Sequence, residues 1–222
     1  MSADRRTRRD ERRRRLGQNF LKPDVAGSIV DDAGFRSGEL VVEVGAGAGA
    51  FTFALARHGV EVVAIEKDPH WAGHLRSEAS RRGLDNVRIV CRDLLDFRMP
   101  RGRPYRVVGS LPFGATTAVL RHLFDLGASA GAGANGNGLT RADLVVQWEV
   151  ARKRAATPPT TLLSTTWAPW WCFDVVRRIP ASSFRPVPAV DAGVLRVTRR
   201  RPPLLPEQMA DAYADFVRRE WK

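Results

Sequence analysis

The amino-acid sequence predicts an α/β protein whose mostly parallel, seven-stranded sheet carries helices on both faces. Short runs rich in Val, Ile and Leu alternate along the chain with amphipathic helical segments, which is the pattern of a doubly wound sheet. A glycine-rich turn follows the first strong strand, as it does where a ligand binds at the carboxyl edge of such a sheet. The chain has 222 residues, of which 44% are hydrophobic, so it can bury the core of one domain of ordinary size.

The predicted elements follow one another in regular alternation. Predicted strands cover residues 39–44, 60–65, 87–91, 106–108, 142–148, 170–177 and 193–197. Predicted helices cover residues 25–33, 51–58, 69–82, 116–126 and 204–222. The strands are nearly continuous apolar runs, which is typical of parallel strands that are buried on both faces.

Composition divides the chain into regions. Eight of the first 15 residues are Arg and three are acidic, without apolar periodicity, so we expect residues 1–15 to form a disordered arm. Residues 127–138 contain only Gly, Ala, Ser and Asn, which predicts a surface loop. Residues 16–201 would form the main domain. Residues 202–222 would begin a helical C-terminal region that is truncated or reduced.

Charge is the strongest signal in the composition. The 36 basic and 24 acidic residues give a net charge of +12, which favours nucleic acid as a partner because binding releases counterions from phosphates. A basic protein without such a partner is the simpler alternative.

Cys91 and Cys172 lie far apart, so no metal site is expected. No apolar run approaches the roughly 18 residues of a membrane span. The N-terminus also lacks the apolar segment of a signal peptide, and we expect a cytoplasmic protein without a membrane partner.

The first candidate site is the glycine-rich turn at residues 43–49. Gly45 and Gly47 allow a tight turn that a ligand can approach closely at a helix N-terminus. Glu66 closes the second predicted strand and Asp93 the third, where these acids can bind ribose hydroxyls and an adenine amino group. Each acid alone is equally typical of a helix cap or a solvated loop. The glycine spacing differs from the dinucleotide fingerprint, which favours S-adenosylmethionine over NAD.

The second candidate site is the turn that follows the fourth predicted strand, and it contains Ser110, Leu111, Pro112 and Phe113. The exocyclic amine of adenine is a weak nucleophile because its lone pair is delocalised into the ring. Methylating it therefore requires hydrogen-bond acceptors beside that nitrogen. The Ser110 hydroxyl and the Leu111 carbonyl would accept, Pro112 would stiffen the turn, and Phe113 would stack on an extruded base. On its own, such a turn is also common in ordinary loops.

Five segments, of which the last is the most specific, carry a resemblance to a known family. They are residues 17–21 (GQNFL), 43–49 (EVGAGAG), 109–114 (GSLPFG), 149–154 (EVARKR) and 184–191 (FRPVPAVD). Together they closely resemble the Erm family of 23S ribosomal RNA adenine-N6 methyltransferases, which are relatives of the small-subunit adenine dimethyltransferases. The resemblance covers residues 16–199, which is most of the chain.

The resemblance implies a Rossmann-like class I methyltransferase domain at residues 16–201 that uses S-adenosylmethionine. The implied cofactor contacts are Gln18, Asn19, Leu21, Gly45, Gly47, Glu66, Asp93 and Ser110. Phe113 and Phe184 would line the pocket of the target adenine, and the basic residues Arg152 and Arg154 would bind the RNA. The implied activity is N6 methylation of a 23S rRNA adenine near the peptide exit tunnel, which gives resistance to macrolide, lincosamide and streptogramin B antibiotics.

Two features depart from the family pattern. The family usually has Asn where this chain has Ser110, so the acceptor is shorter; we expect activity to be retained and weighted toward monomethylation. The helical C-terminal domain of the family is represented by at most residues 204–222, so RNA binding would rest on the arm and the main domain. The expected partner is protein-poor or nascent 23S rRNA, and the expected state is a monomer.

Two other functions remain open at the level of sequence. One is a small-subunit rRNA adenine dimethyltransferase, which shares the turn but typically keeps Asn at the position of Ser110 and lacks the Arg-rich arm. The other is a catalytically silent RNA-binding or ribosome-assembly factor that has lost its acceptor at that position. Cofactor binding and the choice between 23S and 16S RNA separate the three functions.

Overall fold

The computed structural model describes residues 19–126 and 138–221, and its strands and helices follow the predicted alternation. The arm predicted at residues 1–15, Gln18, and all of the predicted loop except Gly138 lie outside the described residues. Within the described ranges, no helix combines the length and the apolar character needed to cross a bilayer.

The elements are numbered in chain order. The strands are β1 (Phe20–Leu21), β2 (Leu40–Val44), β3 (Glu61–Glu66), β4 (Val87–Cys91), β5 (Tyr105–Ser110), β6 (Leu139–Gln147), β7 (Trp171–Ile179), β8 (Phe184–Arg185) and β9 (Ala192–Arg199). The helices are α1 (Pro23–Ala33), α2 (Ala50–Arg57), α3 (Pro69–Arg81), α4 (Thr116–Phe124), α5 (Trp148–Arg154), α6 (Leu162–Trp167) and α7 (Ala210–Glu220).

Seven strands form one sheet in the order β4-β3-β2-β5-β6-β9-β7. Strands β4, β3, β2, β5 and β6 are parallel, and β9 runs antiparallel to both of its neighbours. At the centre, Val42 of β2 pairs with Val63 on one side and with Val107 on the other. The predicted mostly parallel, seven-stranded sheet is therefore confirmed. Strands β1 and β8 form a separate antiparallel pair.

Helices cover both faces of the sheet, as predicted. Buried side chains of α1, α2 and α3 pack on one face, and those of α4, α5, α6 and α7 pack on the other. On the second face, the ring of Phe124 in α4 lies 5.9 Å from the ring of Trp167 and 5.1 Å from that of Trp171, measured between centroids. Burial of each such aromatic side chain stabilises the fold by roughly 2–3 kcal/mol.

Several predicted boundaries shift by a few residues, and two of these differences have a clear physical reason. Trp148 begins α5 instead of ending a strand, because the pairing of β6 with β9 stops at Gln147. The helix predicted over residues 204–222 starts only at Ala210 as α7. The preceding segment is rich in proline, including Pro206, and proline cannot donate the amide hydrogen bond of a helix interior.

A buried ion network ties the sheet to α1. The carboxylate of Asp143 on β6 is fully buried and lies 3.3 Å from Arg106, 2.8 Å from Arg141 and 2.8 Å from Arg196. Arg106 and Arg141 also donate hydrogen bonds to the carbonyl of Ala33 at the end of α1, at 2.8 and 2.9 Å. One carboxylate therefore connects three strands and a helix, and removing it would leave one buried and two partly buried guanidinium groups without this partner.

Strands β2 and β5 approach each other unusually closely at Gly109. A Cβ atom at this position would lie 2.4 Å from the carbonyl oxygen of Val44 and 2.6 Å from its Cγ2. Only glycine fits without a shift of the backbone. This approach places the turn after β5 directly beside the glycine loop after β2.

We expect Gly109→Ala to lower the free energy of unfolding by about 2 kcal/mol, because the added methyl group would overpack the contact with Val44. Gly114→Ala is the matched control, because a Cβ there would meet no atom within 4 Å. Urea unfolding of both variants checks the expectation. Equal stability of the two variants would contradict it.

Candidate active site

A cavity of about 200 Å³ opens at the carboxyl edge of the sheet, where β2, β3, β4 and β5 end. Residues from the glycine loop, the strand ends, β1, the turn after β5 and β8 line it. The predicted site residues that it brings together are Asn19, Leu21, Gly45, Gly47, Glu66, Asp93, Ser110, Leu111, Pro112, Phe113 and Phe184. Segments that lie far apart in the chain therefore form one contiguous site.

The glycine loop is fixed against the end of β3. Gly45 and Gly47 have φ angles of 70° and 53°, which residues with a side chain rarely adopt. The amides of Gly45 and Ala46 both donate to the carbonyl of Ile65 at 3.0 Å. The Gly47 amide donates to Oε2 of Glu66 at 2.8 Å. The loop therefore presents its backbone to the cavity in one conformation.

Glu66 connects the glycine loop to the start of α3. Its Oε2 accepts from the Gly47 amide and its Oε1 from the Asp68 amide, each at 2.8 Å. Burial raises the pKa of Glu66, and these two hydrogen bonds oppose that rise. Each carboxylate oxygen can accept a second hydrogen bond. Glu66 can therefore hold the loop and still accept from hydroxyl groups of a ligand in the cavity.

Glu43 lines the same cavity and was not among the predicted site residues. Its side chain is 1% exposed and accepts a hydrogen bond from the Thr52 hydroxyl. The Thr52 amide also donates to it, so Glu43 caps the N-terminus of α2, where Gly49 offers no side chain. Burial raises the pKa of Glu43 to about 8. An acid inside the apolar strand LVVEV is the signal that identifies this residue in the sequence.

Asp93 follows β4 and caps a helical turn at the edge of the cavity. Its Oδ1 accepts from the Leu95 amide at 3.0 Å, so it caps the short 3₁₀ turn Leu94–Asp96. It also lines the cavity. A capping bond occupies only part of the acceptor capacity of a carboxylate, so Asp93 can bind an amino group as well.

The turn after β5 is held by hydrogen bonds to neighbouring elements. The Leu111 amide donates to the Val145 carbonyl at 2.9 Å, which extends the pairing of β5 with β6. The Ala115 amide donates to the Pro112 carbonyl at 2.9 Å, and the Thr116 hydroxyl lies 3.2 Å from the same oxygen. The Ser110 carbonyl oxygen lies 3.7 Å from where a Cβ of Gly45 would be. The turn therefore faces the glycine loop with a fixed backbone.

The two-stranded sheet of β1 and β8 forms the remaining wall of the cavity. Leu21 of β1 pairs with Phe184 of β8, and the Lys22 amide donates to the Ser183 carbonyl at 2.9 Å. Phe184 is 1% exposed and lines the cavity. After β8, the Asp191 carboxylate accepts from the Ala181 amide at 2.8 Å and thereby closes the loop that follows Phe184. The segment FRPVPAVD therefore begins with an aromatic wall of the cavity and ends in a hydrogen bond that closes its loop.

Arg152 and Arg154 lie outside the cavity, on α5. The Arg152 guanidinium is exposed and lies 3.5 Å from the Glu149 carboxylate. Arg154 instead donates to the Thr161 hydroxyl at 2.7 Å and lies 5.7 Å from the Trp167 ring centroid. Its partial burial lowers its pKa. The two arginines therefore differ, because only Arg152 has a guanidinium that faces solvent.

The part of the chain that the structure describes holds no ligand set for a metal ion. Among residues 19–126 and 138–221, no three His, Cys, Asp or Glu side chains cluster as a metal ion requires. Cys91 and Cys172 are free thiols. The polar and aromatic groups that line the cavity are backbone amides and carbonyls, carboxylates, one hydroxyl, the side chains of Asn19, Lys67 and Arg92, and aromatic rings, which suit a nucleoside-like organic ligand.

The sheet order, with one antiparallel strand, and the glycine loop beside the cavity define a Rossmann-like methyltransferase. The family model for ribosomal RNA adenine dimethylase matches residues 9–221. The chain therefore belongs to the ribosomal RNA adenine dimethylase family.

Three named proteins show which members of this family the chain resembles. The rRNA adenine N-6-methyltransferase of Corynebacterium diphtheriae is 37% identical over 202 residues, covering 90% of this chain and 74% of the relative. The mycinamicin-resistance protein MyrB of Micromonospora griseorubida is 38% identical over 207 residues, covering 93% of this chain and 62% of the relative. The crystal structure of the 23S rRNA methyltransferase ErmE superposes with a TM-score of 0.75 at 30% identity, covering 90% of this chain and 78% of that structure.

The chain thus spans between 62% and 78% of the length of these three proteins. The matches confirm the predicted family and the predicted enzyme class, an rRNA adenine methyltransferase. The roles of the individual site residues stay predictions, which the geometry of the cavity supports.

We expect the buried carboxyl of Glu43 to make stability depend on pH. Its pKa is 4.5 when exposed and about 8 in the fold, so the folded state keeps a proton that the unfolded state releases between these values. The free energy of unfolding should therefore fall as pH rises from 4.5 to about 8, by at most about 1.4 kcal/mol per pH unit for this one group. The substitution Glu43→Gln should reduce the slope of the free energy of unfolding against pH.

The control is Glu220→Gln, at an exposed position on α7, which should keep the slope. Some slope should also remain in Glu43→Gln, because the pKa of Glu66 is raised as well. Denaturant unfolding across this pH range provides the measurement. An unchanged slope in Glu43→Gln would show that Glu43 titrates normally in the fold.

Proposed function

We propose that this protein transfers a methyl group from S-adenosylmethionine to N6 of an adenine in 23S rRNA, and that this modification gives resistance to macrolide, lincosamide and streptogramin B antibiotics. The observation that carries the proposal is that the glycine loop and the turn Ser110–Phe113 face each other across one cavity. The names of two similar proteins, a mycinamicin-resistance protein and a 23S rRNA methyltransferase, support the choice of RNA and the resistance.

The residues at one end of the cavity fit an adenosine-type cofactor. Glu66 presents acceptors for ribose hydroxyls, and Asp93 presents an acceptor for an amino group. Gly45 and Gly47 have no side chains that would cover the loop backbone, and Leu21 of β1 and the preceding Asn19 line the site beside it. When bound, S-adenosylmethionine would supply the methyl group. Gln18 and the Ser110 hydroxyl would also contact the cofactor, and this hydroxyl would contact the target as well.

The turn at the other end of the cavity fits the target base. The Ser110 hydroxyl and the Leu111 carbonyl would accept hydrogen bonds from the exocyclic amine and aim its lone pair at the incoming methyl group. Pro112 restricts the backbone of the turn, and Phe113 would stack on the extruded adenine opposite Phe184. No strong base is needed, because alignment of the two reacting groups supplies most of the rate gain.

RNA binding would use the excess of positive charge. The net charge of +12 suits a polyanion, and Arg152 offers an exposed guanidinium. We further propose that the Arg-rich residues 1–15 and the exposed arginines of the domain at residues 16–201 contact phosphates, with residues 202–222 as a helical region after it. The protein would act as a cytoplasmic monomer on protein-poor or nascent rRNA. A methylated amine would lose hydrogen-bond donors and crowd the drug site.

The decisive experiment measures transfer of a labelled methyl group from S-adenosylmethionine to deproteinised 23S and 16S rRNA. We expect label in 23S rRNA, on N6 of one adenine. Label in 16S rRNA alone would favour a small-subunit dimethyltransferase. Absence of both methyl transfer and cofactor binding would favour the catalytically silent RNA-binding factor. Either of these results overturns the proposal.

We expect Phe113→Ala to lower kcat/KM roughly 10- to 100-fold, because stacking of the extruded base would be lost. The dissociation constant of the cofactor should change little, since Phe113 would act on the base. Phe216→Ala, at a 52% exposed phenylalanine on α7, is the matched control and should retain full activity. Equal losses of activity and cofactor affinity in Phe113→Ala would indicate a structural role instead.

A further inference from the structure

An aromatic side chain of β1 packs on the glycine loop. The ring of Phe20 lies on the backbone of this loop, since a Cβ at Gly47 would be 2.9 Å from Phe20 Cε1. The same ring also contacts Trp71 of α3, whose ring centroid lies 4.8 Å from that of Phe20 at an angle of 56°. Phe20 therefore contacts both the glycine loop and Trp71.

Trp71 has a rigid connection to the loop that Phe20 covers. Glu66 accepts from the Gly47 amide through one oxygen and from the Asp68 amide through the other. The Asp68 carboxylate in turn accepts from the His70 amide at 3.0 Å and caps the start of α3. The Glu66 carboxylate thus sets the position both of the glycine loop and of the helix turn that carries Trp71. The Phe20 ring contacts both of these elements.

The same strand reaches the wall of the target pocket. Phe20 pairs with Arg185, and its neighbour Leu21 pairs with Phe184. Asn19, Phe20 and Leu21 also line the cavity beside the glycine loop. Strand β1 therefore touches both parts of the cavity: the part that fits the cofactor and the aromatic wall that fits the base.

We propose that Trp71 is a positioning residue that presses β1 onto the glycine loop and thereby couples occupation of the cofactor site to the placement of Phe184 for the target base. This inference rests on the proposed function of the cavity. A ligand that contacts both residues 19–21 and the glycine loop favours the arrangement in which β1 packs on that loop. We call this the seated arrangement. Because β1 carries β8 with it, that arrangement also seats Phe184. By thermodynamic linkage, the RNA tightens cofactor binding by the same factor.

The Trp71 indole is the support of β1 that a substitution can remove. Its ring contacts Phe20, and the imidazoles of His70 and His74 lie at steep angles to it, 72° and 87°, with centroid distances of 5.3 and 5.6 Å. Removing the indole would leave Phe20 in contact with the loop but without support from α3. The seated arrangement would then be less favoured, although the groups that face the cavity would be unchanged.

The test measures binding instead of turnover. The probes are S-adenosylhomocysteine, which has no methyl group to transfer, and an unmodified 23S rRNA transcript. The dissociation constant of the RNA is measured with and without saturating S-adenosylhomocysteine, and the ratio is the coupling factor. We expect a coupling factor of about five or more for the unchanged protein. Trp71→Ala should bring it close to one and weaken S-adenosylhomocysteine binding about fivefold.

Two further variants separate positioning from general stability. Trp71→Phe keeps an aromatic ring against Phe20 and should restore most of the coupling. Trp221→Ala, at a 41% exposed tryptophan after α7, should leave the coupling unchanged. If Trp71→Ala lowers the melting temperature into the range of the assay, Trp71→Leu serves as the truncated variant and should also lose the coupling.

A coupling factor that is unchanged in Trp71→Ala or Trp71→Leu would overturn the inference and leave the proposed function intact. The same conclusion follows if the unchanged protein binds both probes without coupling. Failure of the unchanged protein to bind S-adenosylhomocysteine would instead overturn the proposed function, and this inference with it.

Discussion

The close approach of β2 and β5 at Gly109 is the constraint on which the rest of the site depends. Each strand leads into a different part of the site, since β2 continues into the glycine loop and β5 into the turn that begins at Ser110. With the Val44 carbonyl against Gly109, these two segments share one cavity without any intervening element. The two partners of a methyl transfer can therefore meet where two neighbouring strands end, and the distance between them is set by the sheet itself.

Buried carboxylates fix the loop and the helices around the carboxyl edge of the sheet. Glu66 joins the glycine loop to α3, Glu43 caps α2, and Asp143 gathers three arginines beneath the end of α1. A buried acid is costly unless its oxygens are satisfied, and each of these has at least two donors. Those donors are backbone amides, a hydroxyl and basic side chains that belong to the surrounding elements. The hydrogen bonds and ion pairs that satisfy these carboxylates therefore also hold the elements around the site in position.

Local patterns in the sequence were sufficient for the main strands, for the glycine loop and for Glu66, because periodicity and a strand end determine them. Interactions between distant parts of the chain were not accessible in this way. Pairing of β1 with β8 involves two residues on each side, too few for any periodic signal. The contact of Trp71 with Phe20 depends on the packing of α3. Charge alone also could not separate Arg152, which is exposed, from Arg154, which packs near Trp167.

The place of Asn19 has a consequence for how substrate arrives. Asn19 lines the cavity and is joined covalently to the arginine-rich residues 1–15. Arg15 precedes it by four residues, so the two Cα atoms are at most about 14 Å apart. Under the proposed function, a polyanion bound by these arginines would stay within reach of the cavity, and its local concentration there would exceed its concentration in bulk solution. The arm would act on the encounter with RNA, and the cavity on the choice of base.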